Sequence, residues 1–126
     1  MGEANAGRRR STRGSRRPAG LPVAEGFVLD LAARELLSDR GAVHLRPREF
    51  QLLATLAANP GRALSRHELV DLAWDRTGRV GLRSVDVHIH WLRSKIEPVP
   101  AEPTHLIAVR GFGYRLDPVP VAGVSR

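Results

Sequence analysis

The 126-residue chain carries 20 Lys and Arg against 13 Asp and Glu, and it contains no cysteine. That length suits one domain with a real core. Without cysteine there is no disulfide framework, no thiolate nucleophile and no Cys-based zinc site, which fits a cytoplasmic protein, and no apolar run approaches membrane-spanning length. The charge is uneven. Arg8, Arg9, Arg10, Arg13, Arg16 and Arg17 face only Glu3 in the first 20 residues, whereas residues 21–126 hold 14 basic and 12 acidic side chains. The basic excess points to a polyanion, but any nucleic-acid site in the folded part must be a local cluster.

Residues 1–20 are rich in Gly, Ala, Ser and Arg, lack periodicity and cannot bury a core, so disorder is predicted. No apolar segment follows the basic residues as in a signal peptide. Two readings stand side by side: an arm that adds phosphate contacts without reading bases, or a solubilising or vestigial tail. A folded domain is predicted over 21–117, with a flexible tail over 118–126.

Residues 22–46 read as short antiparallel strands. Phe27, Leu29 and Leu31 alternate with Val28 and Asp30; Leu36-Leu37, a turn at Ser38–Gly41 and Val43-His44-Leu45 follow. A first helix is predicted from Pro47, with Phe50, Leu53, Leu56 and Ala57 inward and a stop at Asn59-Pro60-Gly61. Arg46 precedes it where a Ser or Thr would cap, at a cost of about 1 kcal/mol. Ser65-Arg66-His67-Glu68 is a capping box opening a second helix, whose buried face is assigned to Leu69, Leu72 and Ala73, with Trp74 at its end. Residues 75–81 form a loop.

A third helix covers 82–96. Val85, Ile89, Leu92 and Ile96 lie within about 60° of one another on its back. Arg83, Val87, His90 and Ser94 form the front, flanked by Ser84 and Trp91. Such a front suits a DNA major groove, where Arg and Ser bond base edges and small apolar groups touch thymine methyls; an ordinary solvated helix face has the same composition. Pro98 and Pro100 stop the helix. Residues 105–109 and 113–116 read as a hairpin around Arg110-Gly111-Phe112-Gly113, with Gly-x-Gly supplying positive φ at the tip and Arg110 projecting there. Strands, three helices and a hairpin make an α+β winged helix-turn-helix. In that arrangement the third helix enters the major groove and the hairpin reaches the minor groove, whose negative potential suits Arg110.

No enzyme motif is present: no nucleophile elbow, no zinc-protease helix and no phosphate-binding Gly loop. His88 and His90 lie about 200° apart on a helix and cannot share one metal ion. No metal or cofactor is therefore expected. Asp86 can accept from a cytosine amine, orient Arg83 or Arg93, or pair with the hairpin; the structural role is preferred. Trp91 is assigned either as an exposed reader or as packing against the hairpin.

The segments LRPREFQLLATLAANPGRALSRHELVDLAW, RSVDVHIHWLRSKIE and HLIAVRGFGYRL, in that order, resemble the OmpR/PhoB-type winged-helix DNA-binding domain of bacterial response regulators. The resemblance covers roughly residues 25–117. It implies an N-terminal antiparallel sheet, a three-helix core and a C-terminal wing in a transcriptional regulator of double-stranded DNA. It also implies backbone contacts by Arg83, Ser84, His88 and Arg93, base-facing positions at 86, 87, 90 and 91, Arg110 in the minor groove, and Trp74 and Tyr114 near phosphates. Head-to-tail pairing on direct repeats and an RNA polymerase contact through the 74–82 loop belong to the same implication. His90 and Trp91 stand where the family is often basic. Only the basic tail precedes the resemblance, so a receiver-domain phosphorylation switch is not expected within these residues. The rival reading is a winged helix that docks a protein, with nonspecific DNA affinity supplied by the tail.

Overall fold

A computed structural model describes residues 20–74 and 81–119. Residues 1–19 of the basic segment, 75–80 of the predicted loop and 120–126 of the C-terminal tail lie outside the described residues. The elements in chain order are β1 (Leu21–Ala24), β2 (Phe27–Asp30), β3 (Glu35–Ser38), β4 (Gly41–Val43), α1 (Pro47–Ala57), β5 (Leu64–Ser65), α2 (Arg66–Ala73), α3 (Leu82–Ile96), β6 (Leu106–Val109) and β7 (Gly113–Leu116). This is the α+β winged helix expected from the sequence.

Strands β1 to β4 form an antiparallel meander in chain order. Leu29 pairs with Leu36 and Leu36 with Val43, so one face of the pleat carries the apolar residues inward. Leu31, expected to continue that alternation, lies beyond the end of β2 and is exposed. The turn before β4 is closed by Ser38, whose hydroxyl donates to the Gly41 carbonyl at 2.9 Å and accepts from the Arg40 N–H at 3.1 Å. Val23, Leu29 and Leu36 join Phe50, Leu53, Leu56, Leu69, Ile89 and Leu92 in one buried cluster.

Helix α1 begins at Pro47 as predicted, and Phe50, Leu53, Leu56 and Ala57 are buried. The missing side-chain cap is partly replaced. The Glu49 carboxyl reaches back to accept the Arg46 N–H at 2.7 Å and the Lys95 ammonium at 2.7 Å. Both halves of the capping box of α2 are made, Glu68 N–H to Ser65 Oγ at 3.0 Å and Ser65 N–H to Glu68 Oε1 at 2.8 Å.

The buried face of α2 requires a correction. Leu69 and Ala73 are inside, but Leu72 is 62% exposed. The half-buried Val70 lies on the covered side instead. A stripe centred between Leu69, Val70 and Ala73 leaves Leu72 about 100° away on the helix, outside the sector that α1 and α3 cover. The hairpin also gains a strand: β5 pairs with β7 through Leu64–Tyr114 and Ser65–Gly113, giving a three-stranded sheet in the order β5–β7–β6. Two-residue β5 carries too little pattern to be read as a strand without its partner.

Candidate nucleic-acid interface

Helix α3 buries Val85, Ile89, Leu92 and Ile96, as its periodicity required. Arg83, Val87, His90 and Ser94 on the opposite side are all exposed. Between back and front lie two flanks, each engaged by different neighbours. Asp86 and Arg93 occupy one flank; Ser84, His88 and Trp91 occupy the other.

The first flank faces the hairpin. Asp86 Oδ1 accepts two hydrogen bonds, from the Tyr114 hydroxyl at 2.6 Å and from Arg66 Nε at 2.9 Å. One carboxyl oxygen thus joins α2, α3 and β7. Burial alone would raise the Asp86 carboxyl, but the hydrogen bonds from Tyr114 and Arg66, together with the charges of Arg66 and Arg83, hold it below its ordinary value. Tyr114 moves the other way, raised by burial and by its bond to Asp86. Arg93 donates through Nε at 3.1 Å and Nη2 at 2.9 Å to the Leu106 carbonyl at the start of β6. Arg93, which the resemblance would send to the DNA backbone, thus also holds the hairpin, and the hydroxyl of Tyr114, which it would place near phosphates, is bonded to α3.

The second flank is a row of π-systems. His88 lies edge-on between Trp74, centroids 5.4 Å apart, and Trp91, 5.0 Å apart, and the Arg46 guanidinium stands 4.6 Å above the Trp91 ring. His88 Nδ1 is 2.7 Å from the Ser84 carbonyl. Because a carbonyl only accepts, Nδ1 carries the proton and Nε2 is left for another partner. Trp91 has His88 and Arg46 beside its ring. It is half-buried, on the flank turned away from β6 and β7. Trp74 is 5% and Tyr114 6% exposed, so both rings are core residues first. The Trp74 indole N–H is buried without a partner among the described residues.

The hairpin tip completes the surface. Gly111 has φ +72, the left-handed value the tip needs. Gly113 does not share it; a Cβ there would lie 2.0 Å from the Leu64 carbonyl oxygen. The second glycine of Gly-x-Gly thus serves close approach of β5 and not the turn. Arg110 is exposed at the tip, and beside it Phe112 is 46% exposed.

Two positioning residues were not singled out in the sequence. Arg66 is the first residue of α2, a place the capping box located, but its contact with Asp86 spans 20 positions. Buried Glu97, just beyond α3, accepts from Thr104 N–H at 3.0 Å, His105 N–H at 2.9 Å and Leu106 N–H at 2.7 Å. An acidic residue in front of two prolines was the only signal available for it.

The Asp86 geometry carries a pH prediction. Its carboxyl titrates lower in the folded chain than the ordinary Asp value of 3.8. It therefore stabilises the fold fully above that value and loses the contribution as pH falls through the depressed folded value. Denaturant melts should show the stability gap between wild type and Asp86→Ala to be constant from pH 6 to 8 and to shrink below pH 3.8. A gap that persists unchanged into acid would mean that packing and not charge holds this contact.

Comparison with known proteins identifies the family and the fold. Residues 40–116 match the family described as "Transcriptional regulatory protein, C terminal". The alkaline phosphatase synthesis transcriptional regulatory protein SphR of Synechococcus elongatus is 39% identical over 107 residues, covering 82% of this chain and 42% of SphR. The chain thus spans less than half the length of that relative. Among solved structures, the Thermotoga maritima response regulator DrrB, an OmpR/PhoB homologue, superimposes with a TM-score of 0.67 at 28% identity over 73% of this chain and 42% of DrrB. The AdeR DNA-binding domain, solved in complex with an intercistronic region, gives a TM-score of 0.63 at 26% identity, covering 76% of this chain and 97% of that one.

Proposed function

From the premise that this chain belongs to the family of transcriptional regulatory protein C-terminal domains, of the OmpR/PhoB winged-helix type, we propose that it reads specific double-stranded DNA sequences with α3 in the major groove and Arg110 in the minor groove. The family is one of transcription-factor DNA-binding domains and is not enzymatic. The observation that carries the finer reading is the division of α3. Its back is buried, its flanks are occupied, and the remaining face of Arg83, Val87, His90 and Ser94 stands free beside a hairpin whose tip exposes Arg110. Arg83 can bond base edges or phosphates, Ser94, whose hydroxyl donates to the Trp91 carbonyl at 2.6 Å, keeps its lone pairs for a base amine, and Val87 can meet a thymine methyl. Ser84 and His88, on the Trp74 side, are assigned to the phosphate backbone with Arg83. Arg93, Trp74 and Tyr114 support the surface first and touch phosphate at most with what their internal contacts leave. Among the described residues no helix is long and apolar enough to cross a membrane, and the site of action is assigned to the cytoplasm.

By the same likeness two copies would sit head to tail on direct-repeat half-sites, and the 74–82 loop would meet RNA polymerase. Leu72, exposed one residue before Ala73 and Trp74, supports the second assignment. Exposed Leu72 and Phe112 also favour the rival reading, a module that docks a protein and grips DNA only nonspecifically through its tail.

Selection of bound duplexes from a random pool, with the full chain and with residues 1–20 removed, separates the two. A single repeated motif enriched by both forms is expected. Affinity for that motif should fall steeply and linearly with salt on a log–log scale. Enrichment by neither form, with tail-dependent binding only, would overturn DNA reading by the folded domain. Within the enriched motif, Arg110→Ala should weaken binding by about 1–3 kcal/mol and leave the melting temperature unchanged. A parallel fall in stability would make Arg110 structural.

A further inference from the structure

We infer that Asp86 and Tyr114 are a positioning pair that sets the distance between the reading face of α3 and the Arg110-bearing hairpin tip, so that the two are read as one unit. The inference rests on the DNA-reading assignment above and concerns how its two halves are joined.

Besides the pairing of β7 with β5, side chains hold the hairpin at two places along its length. At its root, Leu106 is gripped through both backbone groups, its carbonyl by Arg93 and its N–H by Glu97. Near its tip, Tyr114 follows Gly113, which pairs with Val109 immediately before Arg110. The 2.6 Å bond from the Tyr114 hydroxyl ends on Asp86, which precedes Val87 of the reading face. Each partner is therefore adjacent in sequence to the surface it would position or one strand-pair removed from it. Arg66 braces the same oxygen from α2, with its guanidinium 5.3 Å from the centre of the Tyr114 ring. Pairing with β5 through Leu64–Tyr114 and Ser65–Gly113 holds β7 within its own sheet, and the Asp86 contact ties that sheet directly to α3 beside the reading face.

Stability alone gives a weak account of this contact. The Arg66 and Asp86 side chains are 32% and 42% exposed, and pairs so exposed contribute little to folding. The Tyr114 backbone is already held by its pairing with Leu64 and Ala108. The geometry matters more, because a site spanning two grooves works only when its parts are held within about half an ångström of the productive arrangement. An acidic residue on a DNA-facing helix would also repel phosphate. Here its charge is met by Arg66 and lies near Arg83.

A double-mutant cycle tests the pair: wild type, Asp86→Ala, Tyr114→Phe and the double variant, each taken through duplex selection, affinity measurement on the enriched duplex and thermal melting. Each single variant should lose roughly tenfold in affinity for the enriched duplex, and the double variant should be no weaker than Asp86→Ala alone, since the Tyr114–Asp86 contact is already lost there together with the Arg66 bond. Base preference should flatten at the positions covered by the hairpin and persist at those covered by α3. Asp86→Asn keeps an oxygen acceptor and should recover most of the loss. Tyr114 is the chain's one tyrosine, so phenolate absorbance in the free protein reports the bond directly and should titrate lower in Asp86→Ala than in wild type. Additive losses spread evenly over all sequences would overturn the inference by making Tyr114 an independent phosphate contact. Unchanged affinity with a lowered melting temperature would overturn it by making the pair purely structural. A wild type that enriches no duplex would instead remove DNA reading itself, and the coupling with it.

Discussion

Gly113→Ala should leave a domain that melts roughly 10–20 °C lower than wild type, although it adds one methyl group to a residue in an ordinary strand. A Cβ at position 113 would lie 2.0 Å from the Leu64 carbonyl oxygen and 2.8 Å from Ser65 Cα. Both obstacles are backbone, so no rotamer change relieves them, and β5 must separate from β7. That separation reaches further than a sheet edge. Ser65 pairs with Gly113 and at the same time caps α2, so the strand contact and the helix start share one residue. Arg66, the next residue, would be drawn away from Asp86. Overpacking against rigid neighbours costs about 3 kcal/mol, a large part of the stability of a domain this size. Circular-dichroism melts check it. A variant as stable as wild type would show that β5 is free to move.

Glu97→Ala should cost about 3 kcal/mol as well, by a different route. Its two carboxyl oxygens accept three consecutive backbone N–H groups, Thr104, His105 and Leu106. His105 and Leu106 are almost completely buried, so their N–H groups would find neither water nor another acceptor once the side chain is truncated. An unsatisfied buried donor costs about 1–3 kcal/mol. Glu97→Gln should recover only part of this, because its amide offers one acceptor oxygen and turns a donor toward donors. Equilibrium denaturation of both variants, with amide exchange read at His105 and Leu106, tests the claim. Fast exchange at those two amides with the rest of the sheet protected is the expected pattern. Protection equal to wild type would mean that other acceptors take over.

Much of the architecture was legible because it rests on local rules. The α3 periodicity assigned Val85, Ile89, Leu92 and Ile96 to the interior and left Arg83, Val87, His90 and Ser94 outside, and the structure agrees at all eight positions. Pro47 and the Ser65–Glu68 box located two helix starts because capping depends on residues three apart. Leu72 was misassigned because an amphipathic stripe gives the period of a helix but not the breadth of the surface that will cover it. Strand β5 was missed because two residues hold no pattern; Leu64 and Ser65 are a strand only through Tyr114 and Gly113.

The candidate site divides along the same line. Sequence by itself determined that Arg83, Val87, His90 and Ser94 share one helix face and that Arg110 stands at a glycine-bearing tip, since both follow from fixed backbone periods and turn chemistry. Tertiary structure alone decided what the flanks of α3 do. Asp86 meets Arg66 and Tyr114 across 20 and 28 positions, Arg93 meets the Leu106 carbonyl across 13, and Arg46 covers Trp91 from the start of α1. Side chains that could all have been drawn toward DNA are turned inward because buried or half-buried polar groups must find partners. Which partner lies within 3 Å is settled by how helices and strands pack, a quantity that no local spacing encodes.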